Sequence, residues 1–209
     1  MSPDEDNDMG DDLAVPLPFI VFSLPRSRSA WMTHFLSYPP FQCGHDMATY
    51  CESVSDFLGM FASGMVGTCE TGAVEAWRVI RAEMPECKFV VVRRPLPDVL
   101  ASFARHGLSP DEAQLIQRAN LLESVASLAG TLVLDYSELD GYLGCRRLFE
   151  FCLGLPFDWA WWEFYSQYNI QVDLRAQLEL CRVNAPGLAR LRDEVALRNQ
   201  ALGQLKEFN

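Results

Sequence analysis

The sequence predicts an α/β domain with a central parallel sheet of four or five strands flanked by helices, and a helical C-terminal part. Three observations carry this. Short, nearly continuous apolar runs recur at Phe19-Ile20-Val21-Phe22, Lys88-Phe89-Val90-Val91-Val92 and Thr131-Leu132-Val133-Leu134, the pattern of strands buried on both faces. Stretches with helical spacing lie between them, and strands alternating with helices form βαβ units with a covered parallel sheet. Finally, 209 residues suffice for one core.

In chain order, residues 1–17 read as an acidic, disordered tail: six acids, no base and almost nothing to bury fall within the first twelve positions. Residues 18–209 read as a single domain. The first strand ends at Leu24-Pro25. Trp31, Phe35 and Leu36 recur at helical spacing after an Arg/Ser turn, with Ser29 as a start signal and Tyr38-Pro39-Pro40 as a stop. Boundaries are weak between about 50 and 66. Gly67-Thr68-Cys69 is a short strand, followed by a helix from Ala73 to Ala82. The strand 88–92 runs into Arg93-Arg94-Pro95, and helices follow from Pro97 to His106 and from Pro110 to Leu128. After the strand 131–134, helical patterns fill the chain from about 140. Asn184-Ala185-Pro186-Gly187 interrupts them before a last helix from Leu188 to Leu205.

Composition narrows the chemistry. Seventeen Lys+Arg against 28 Asp+Glu give a net charge of −11, which argues against nonspecific binding to nucleic acid or anionic lipid. No apolar run approaches the ~18 residues of a membrane span. The basic residues are fifteen arginines and only Lys88 and Lys206. Neither lysine sits in a GxxxxGK[ST] loop, which argues against an ordinary ATPase or GTPase. The seven cysteines are scattered and never spaced CxxC, which signals neither a metal site nor a disulfide framework. The start lacks a secretory pattern, so the expected location is cytoplasmic, with buried thiols.

The arginines concentrate at two strand ends. Leu24-Pro25-Arg26-Ser27-Arg28-Ser29-Ala30-Trp31 places guanidinium and hydroxyl groups at a strand-to-helix turn. Val92-Arg93-Arg94-Pro95 adds two more arginines, with Ser102 about two turns into the next helix. Ligands of open parallel sheets bind beyond the carboxyl ends of strands, where helix N-termini attract anions. Clustered like charges favour a bound polyanion. The alternative is that these arginines pair with the surplus acids.

The first segment resembles the 5'-phosphosulfate loop of sulfotransferases, P-[KR]-S-G-T-T-W, with Pro25, Arg26, Ser27 and Trp31 in matching places. The second resembles that family's 3'-phosphate segment, R-x-P-x-(x)-[DE]-V-x-x-S, through Arg93, Pro95, Asp98, Val99 and Ser102. Tyr136-Ser137-Glu138-Leu139 is similar to the family's Y-E-E-L, and Phe151-Cys152-Leu153-Gly154-Leu155-Pro156 to F-L-G-x-P. The likeness covers residues 18–157. It is strongest toward small sulfotransferase-like proteins of phages and bacteria, through Ser27 to Trp31, His45-Asp46 and Asn169-Ile170-Gln171. Arg28 replaces the loop glycine, Ala30 replaces one threonine, and the later R-K-G segment is missing.

The resemblance implies a P-loop NTPase-like sulfotransferase fold and a donor, 3'-phosphoadenosine 5'-phosphosulfate, which leaves as 3'-phosphoadenosine 5'-phosphate, with no metal. It implies that Pro25 through Trp31 hold the phosphosulfate, that Arg93, Arg94 and Ser102 surround the 3'-phosphate and that Tyr136 lines the adenine pocket. Arg26 takes the leaving-group role, where an always-charged guanidinium stabilises developing charge. His45, with Asp46 to orient or replace it, is the expected base toward a hydroxyl or amine. The acceptor is a small molecule or macromolecule of unknown identity. Other readings stay open: a non-catalytic module of a phage or bacterial assembly, or a nucleotide or small-molecule kinase.

Two further features have packing and functional readings. The aromatic stretch Trp159 to Tyr168 docks on the core or stacks a ligand. In the last helix Leu188, Leu191, Val195, Leu202 and Leu205 follow nearly heptad spacing, which suits self-docking in a monomer or a homodimer seam. His34 reads as structural, and His106 as a partner of a helix C-terminus.

Overall fold

A computed structural model of the chain describes residues 15–206; most of the acidic tail expected over 1–17 lies outside the described residues. The sheet strands are β1 (Phe19–Ser23), β2 (Gln42–His45), β3 (Met65–Glu70), β4 (Lys88–Arg93) and β5 (Leu132–Asp135). They pair in the order β2-β3-β1-β4-β5 with every ladder parallel. The fold is thus P-loop-like α/β, a five-stranded parallel sheet with helices on both faces.

The helices are α1 (Ser29–Leu36), α2 (Val54–Ala62), α3 (Trp77–Glu83), α4 (Leu96–Ala104), α5 (Glu112–Ala126), α6 (Tyr142–Leu153), α7 (Trp159–Ser166), α8 (Leu174–Val183) and α9 (Ala185–Lys206). α2 lies in the stretch 50–66 where boundaries are weak, and β2, which the sequence does not announce, precedes it. β2 reads Gln-Cys-Gly-His and lies on the sheet edge, so it carries no apolar run by which to recognise it. The last helix begins at Ala185, three residues before the expected start, because Pro186 falls in its first turn, where its missing N–H has no intrahelical partner to lose.

The period-two alternation of the central strands divides the core. Ile20, Phe22, Phe89 and Val91 face α2, α3, α5 and α9, while Phe19, Val21, Val90 and Val92 face α1, α6 and α7. Every residue of β1 is buried. Leu191 and Val195 of α9 are buried in the first layer, and Leu202 packs against it. The aromatic stretch docks on α1: Trp31 Nε1 donates to the Tyr165 carbonyl (2.9 Å) and Trp161 Nε1 to the Phe35 carbonyl (2.8 Å). Trp159, Phe164 and Tyr168 remain about half exposed.

β3 can lie against β1 because Gly67 pairs with Phe19 and has no side chain: a Cβ there would meet the Phe19 ring at 2.2 Å. Substituting Gly67→Ala is therefore expected to overpack the sheet face and destabilise the chain by about 1–3 kcal/mol, read as a lower urea midpoint with unchanged m-value.

Candidate functional site

Because β1 is central and buried, the chain must leave it abruptly. It does so through a left-handed turn, with Arg26 at φ 67° and Arg28 at φ 63°, a conformation non-glycine residues seldom adopt. This explains how an arginine occupies the position where the resembling motif has glycine. The backbone keeps the left-handed bend, and the side chain is led away to other partners. Arg28 donates to the Leu139 carbonyl (3.0 Å) and to the Asp140 carboxylate (2.5 Å). Its guanidinium also lies 5.2 Å from the centre of the Tyr136 ring. The turn opens the N-terminus of α1, whose first intrahelical bond runs from Met32 N–H to the Arg28 carbonyl. The N–H groups of Ser29, Ala30 and Trp31 precede that bond and point out of the helix end.

On one side of this turn lies a cationic basin of about 600 Å³. Arg26 Nε donates to Ser102 Oγ (3.2 Å) and Arg26 Nη2 to His106 Nε2 (3.0 Å). A guanidinium has only donors, so the His106 lone pair sits on Nε2. Burial first, then repulsion from Arg94 and Arg105, holds the Arg26 guanidinium below its ordinary value. Arg94 stacks 4.2 Å from the Tyr136 ring centre, and its Nε is buried with no hydrogen-bond partner among the described residues. Ser27 is fully buried, and its Oγ likewise lacks a partner.

The surplus acids take two of the four motif arginines. Arg28 pairs with Asp140, and Arg93 makes a two-pronged pair with Glu123 (2.9 and 2.5 Å). Arg93 lies outside the residues lining the basin. Arg26, Arg94, Arg105 and His106 remain together around Ser102. Neither Arg105 nor His106 stood out in the sequence as a site residue. His106 lies two residues beyond the end of α4 and faces Arg26 instead of the helix terminus.

On the other side of the turn is a mainly apolar cavity of about 510 Å³. Pro25, Ser29, Ala30, His45 and Asp46 meet at its floor, and Arg26, Arg28, Ile170 and Gln171 line both spaces. His45 ends β2, and its Nε2 lies 2.9 Å from Ser29 Oγ and 3.7 Å from Asp46 Oδ2. Asp46 adopts φ 47°; its Oδ1 accepts from Thr71 N (2.7 Å) and Thr71 Oγ1 (2.9 Å), which fixes the turn after β2 against the end of β3. Beneath it Glu70 is buried, and its Oε1 accepts from Thr68 Oγ1 (2.6 Å) and Met47 N (2.7 Å). Burial, reinforced by the Asp46 charge, pushes the Glu70 carboxyl up to about 8. Trp31 and Tyr136 line the basin.

Burial also pushes the Cys51 and Cys87 thiols up to about 12, so they are apolar packing groups. No group of three or more His, Cys, Asp or Glu side chains among the described residues is arranged to hold a metal ion. No described helix is long and apolar enough to cross a membrane.

No protein-family model matches this chain, and no curated protein matches its sequence. Its fold is similar to that of a mouse sulfotransferase solved in complex with PAP, with a TM-score of 0.53 at 12% identity over 72% of this chain. This chain spans 63% of the length of that structure. The sulfotransferase domain of the Synechococcus olefin synthase is matched at a TM-score of 0.49 and 12% identity, over 81% of this chain and 96% of that domain. A gluconokinase from Sinorhizobium meliloti is matched at 0.43 and 12%, over 78% of this chain and 98% of that one. What the first of these establishes is the fold.

Glu70 gives the site a measurable signature. The unfolded chain ionises this carboxyl near 4.5 and the native chain near 8, so between those values the native state holds the extra proton. Stability must then fall as pH rises through this window and level off above it. Chemical denaturation at pH 5 and pH 8 is expected to show a smaller loss of stability for Glu70→Gln than for the parent.

Proposed function

We propose that the chain is a sulfotransferase that moves a sulfuryl group from 3'-phosphoadenosine 5'-phosphosulfate to a hydroxyl or amine of an acceptor. One observation carries the reading: a single turn, Arg26 to Arg28, separates a cationic basin from a mainly apolar cavity, with His45 on the apolar side. That is the layout a two-substrate group transfer to a nucleophile requires, with both substrates meeting at one helix N-terminus. The motif resemblance over residues 18–157 and the likeness of fold support it. Residues 18–209 act as one domain in this reading, and the chain stands with the small phage and bacterial proteins of this type, working in the cytoplasm.

The basin fits a polyanionic nucleotide because Arg94, which lines it, has a buried Nε without a partner among the described residues, which is costly unless a ligand meets it. Arg26 and the free N–H groups of Ser29, Ala30 and Trp31 face the phosphosulfate, with Pro25 and Ser27 shaping the loop. Arg94, Ser102, Arg105 and His106 surround the second phosphate. Arg93 serves from outside, held by Glu123. Arg28 braces the turn through Leu139 and Asp140. Tyr136 supports Arg28 and Arg94 by its ring face. The donor supplies an activated sulfuryl group; the protein supplies charge and proton handling. Arg26 stabilises negative charge on the departing phosphate as an electrostatic clamp, since its guanidinium stays protonated. His45 takes the acceptor proton, and the Asp46 carboxylate, anchored by Thr71 and 3.7 Å from the ring, stabilises the charge that the imidazole gains.

Calorimetric titration with 3'-phosphoadenosine 5'-phosphate tests the basin, with ATP and magnesium as comparison. Micromolar binding of the first alone is expected. Arg26→Ala and Arg94→Ala should each weaken it tenfold or more, and Arg93→Ala less than threefold. Preference for ATP would favour a kinase, and no binding of either a non-catalytic module. For the base, His45→Ala is expected to keep nucleotide binding while lowering sulfuryl-transfer turnover about 10²–10⁴-fold; unchanged turnover would remove the assignment.

A further inference from the structure

We propose that the apolar cavity takes a molecule that joins an apolar body to a carboxylate, and that Arg118 binds the carboxylate. That this molecule is the acceptor rests on the transferase reading; the binding site itself does not. Arg118, on α5, is only 8% exposed and lines the cavity wall. Its Nε is fully buried without a hydrogen-bond partner, and no hydrogen bond from its guanidinium is found among the described residues. Glu75 pairs with that Nε as an ion at 3.6 Å, too far for a hydrogen bond, and is itself 30% exposed, so the charge is partly balanced while the donors stay unmet. A buried cation with its donors unmet is unfavourable in an apolar wall. The planar fork of a guanidinium matches a carboxylate in two-pronged fashion.

The remaining geometry says where the rest of the molecule lies. A Cβ placed on Gly72 would be 3.9 Å from Arg118 Nη2, so the guanidinium lies beside Gly72, next to Thr71 in the chain. Thr71 in turn holds Asp46. Arg118, Gly72, Thr71 and Asp46 line the same cavity, so the carboxylate and the Asp46 carboxyl share one space. The apolar body has its own wall on α8. Leu174, Leu178 and Cys181 line the cavity, yet no residue of α8 is buried and Leu178 is 53% exposed. An apolar chain lying along α8 would cover that surface. Other charged or titratable side chains at the cavity are Asp46, Glu70, Glu75, Asp111, Arg192, His45 and, at the turn shared with the basin, Arg26 and Arg28, which are engaged with Ser102 and His106 and with Asp140. Glu70 is largely neutral below about pH 8 and adds little repulsion, whereas Glu75 competes for Arg118 and must yield.

Calorimetric titration of the full chain at pH 7 with octanoate and octan-1-ol, without nucleotide, tests the proposal. Octanoate is expected to bind at least tenfold more tightly than the alcohol. Arg118→Gln should weaken octanoate tenfold or more and change octan-1-ol less than threefold, with Arg118→Lys intermediate. Alcohol binding reports that the variant cavity is intact; should Arg118→Gln not fold, the acid preference of the parent and its reduction in Arg118→Lys decide. Leu178→Asp, at an exposed position, should weaken both probes. Equal affinity of the parent for acid and alcohol, no octanoate binding, or an acid preference that survives loss of Arg118 overturns the proposal. A parent with the expected octanoate pattern but no affinity for 3'-phosphoadenosine 5'-phosphate keeps the carboxylate site and loses the transferase reading; nucleotide binding without acid preference does the reverse.

Discussion

β1 is buried along its whole length between β3 and β4, and the chain must turn back at its end to lay α1 on the sheet. The left-handed bend at Arg26 and Arg28 is the local solution, and the site depends on it. The bend sends the two side chains to different partners, Arg26 toward Ser102 and His106 and Arg28 toward Leu139 and Asp140. It also exposes the first N–H groups of α1 between the two cavities. Left-handed backbone at a non-glycine residue costs about 1 kcal/mol or more; here the buried strand and the Arg28 contacts hold it in place.

Charge is sorted around this turn. The chain as a whole is acidic, yet the acids near the basin neutralise Arg28 and Arg93 from its edges and leave Arg26, Arg94 and Arg105 facing one another. Burial first, then repulsion from Arg94 and Arg105, lowers the affinity of Arg26 for its proton, and a small polyanion among the three would relieve that repulsion. A net negative protein can hold such an anion because the interaction is local, within a Debye length, while the outer charge is screened.

The acid side of the site has a different logic. Asp46, Glu70 and Thr71 tie the ends of β2 and β3 together, so His45 is presented at the cavity floor by backbone pairing as well as by its neighbours. The cavity above is closed by α5, α8 and α9. α8 packs with little burial of its own, whereas the sheet side of the cavity is built on buried strands.

The sequence by itself determined the parallel α/β class, the strands 19–22 and 88–92, the turn from Pro25 to Trp31 and the two arginine-bearing strand ends, because apolar runs and breakers act locally. It was silent on β2, a four-residue edge strand without alternation, and on Arg105, Arg118 and Glu70, whose neighbours are far away in the chain. The clearest decision left to tertiary structure concerns Arg93 and Arg94. Strand alternation puts Arg93 on the face of Phe89 and Val91, and only the packing of α5 on that face reveals Glu123 waiting there. Arg94, one residue beyond the strand, turns into the basin. Adjacent arginines of one motif thus acquire different partners, since the ion pair that separates them spans thirty positions and no local pattern encodes it.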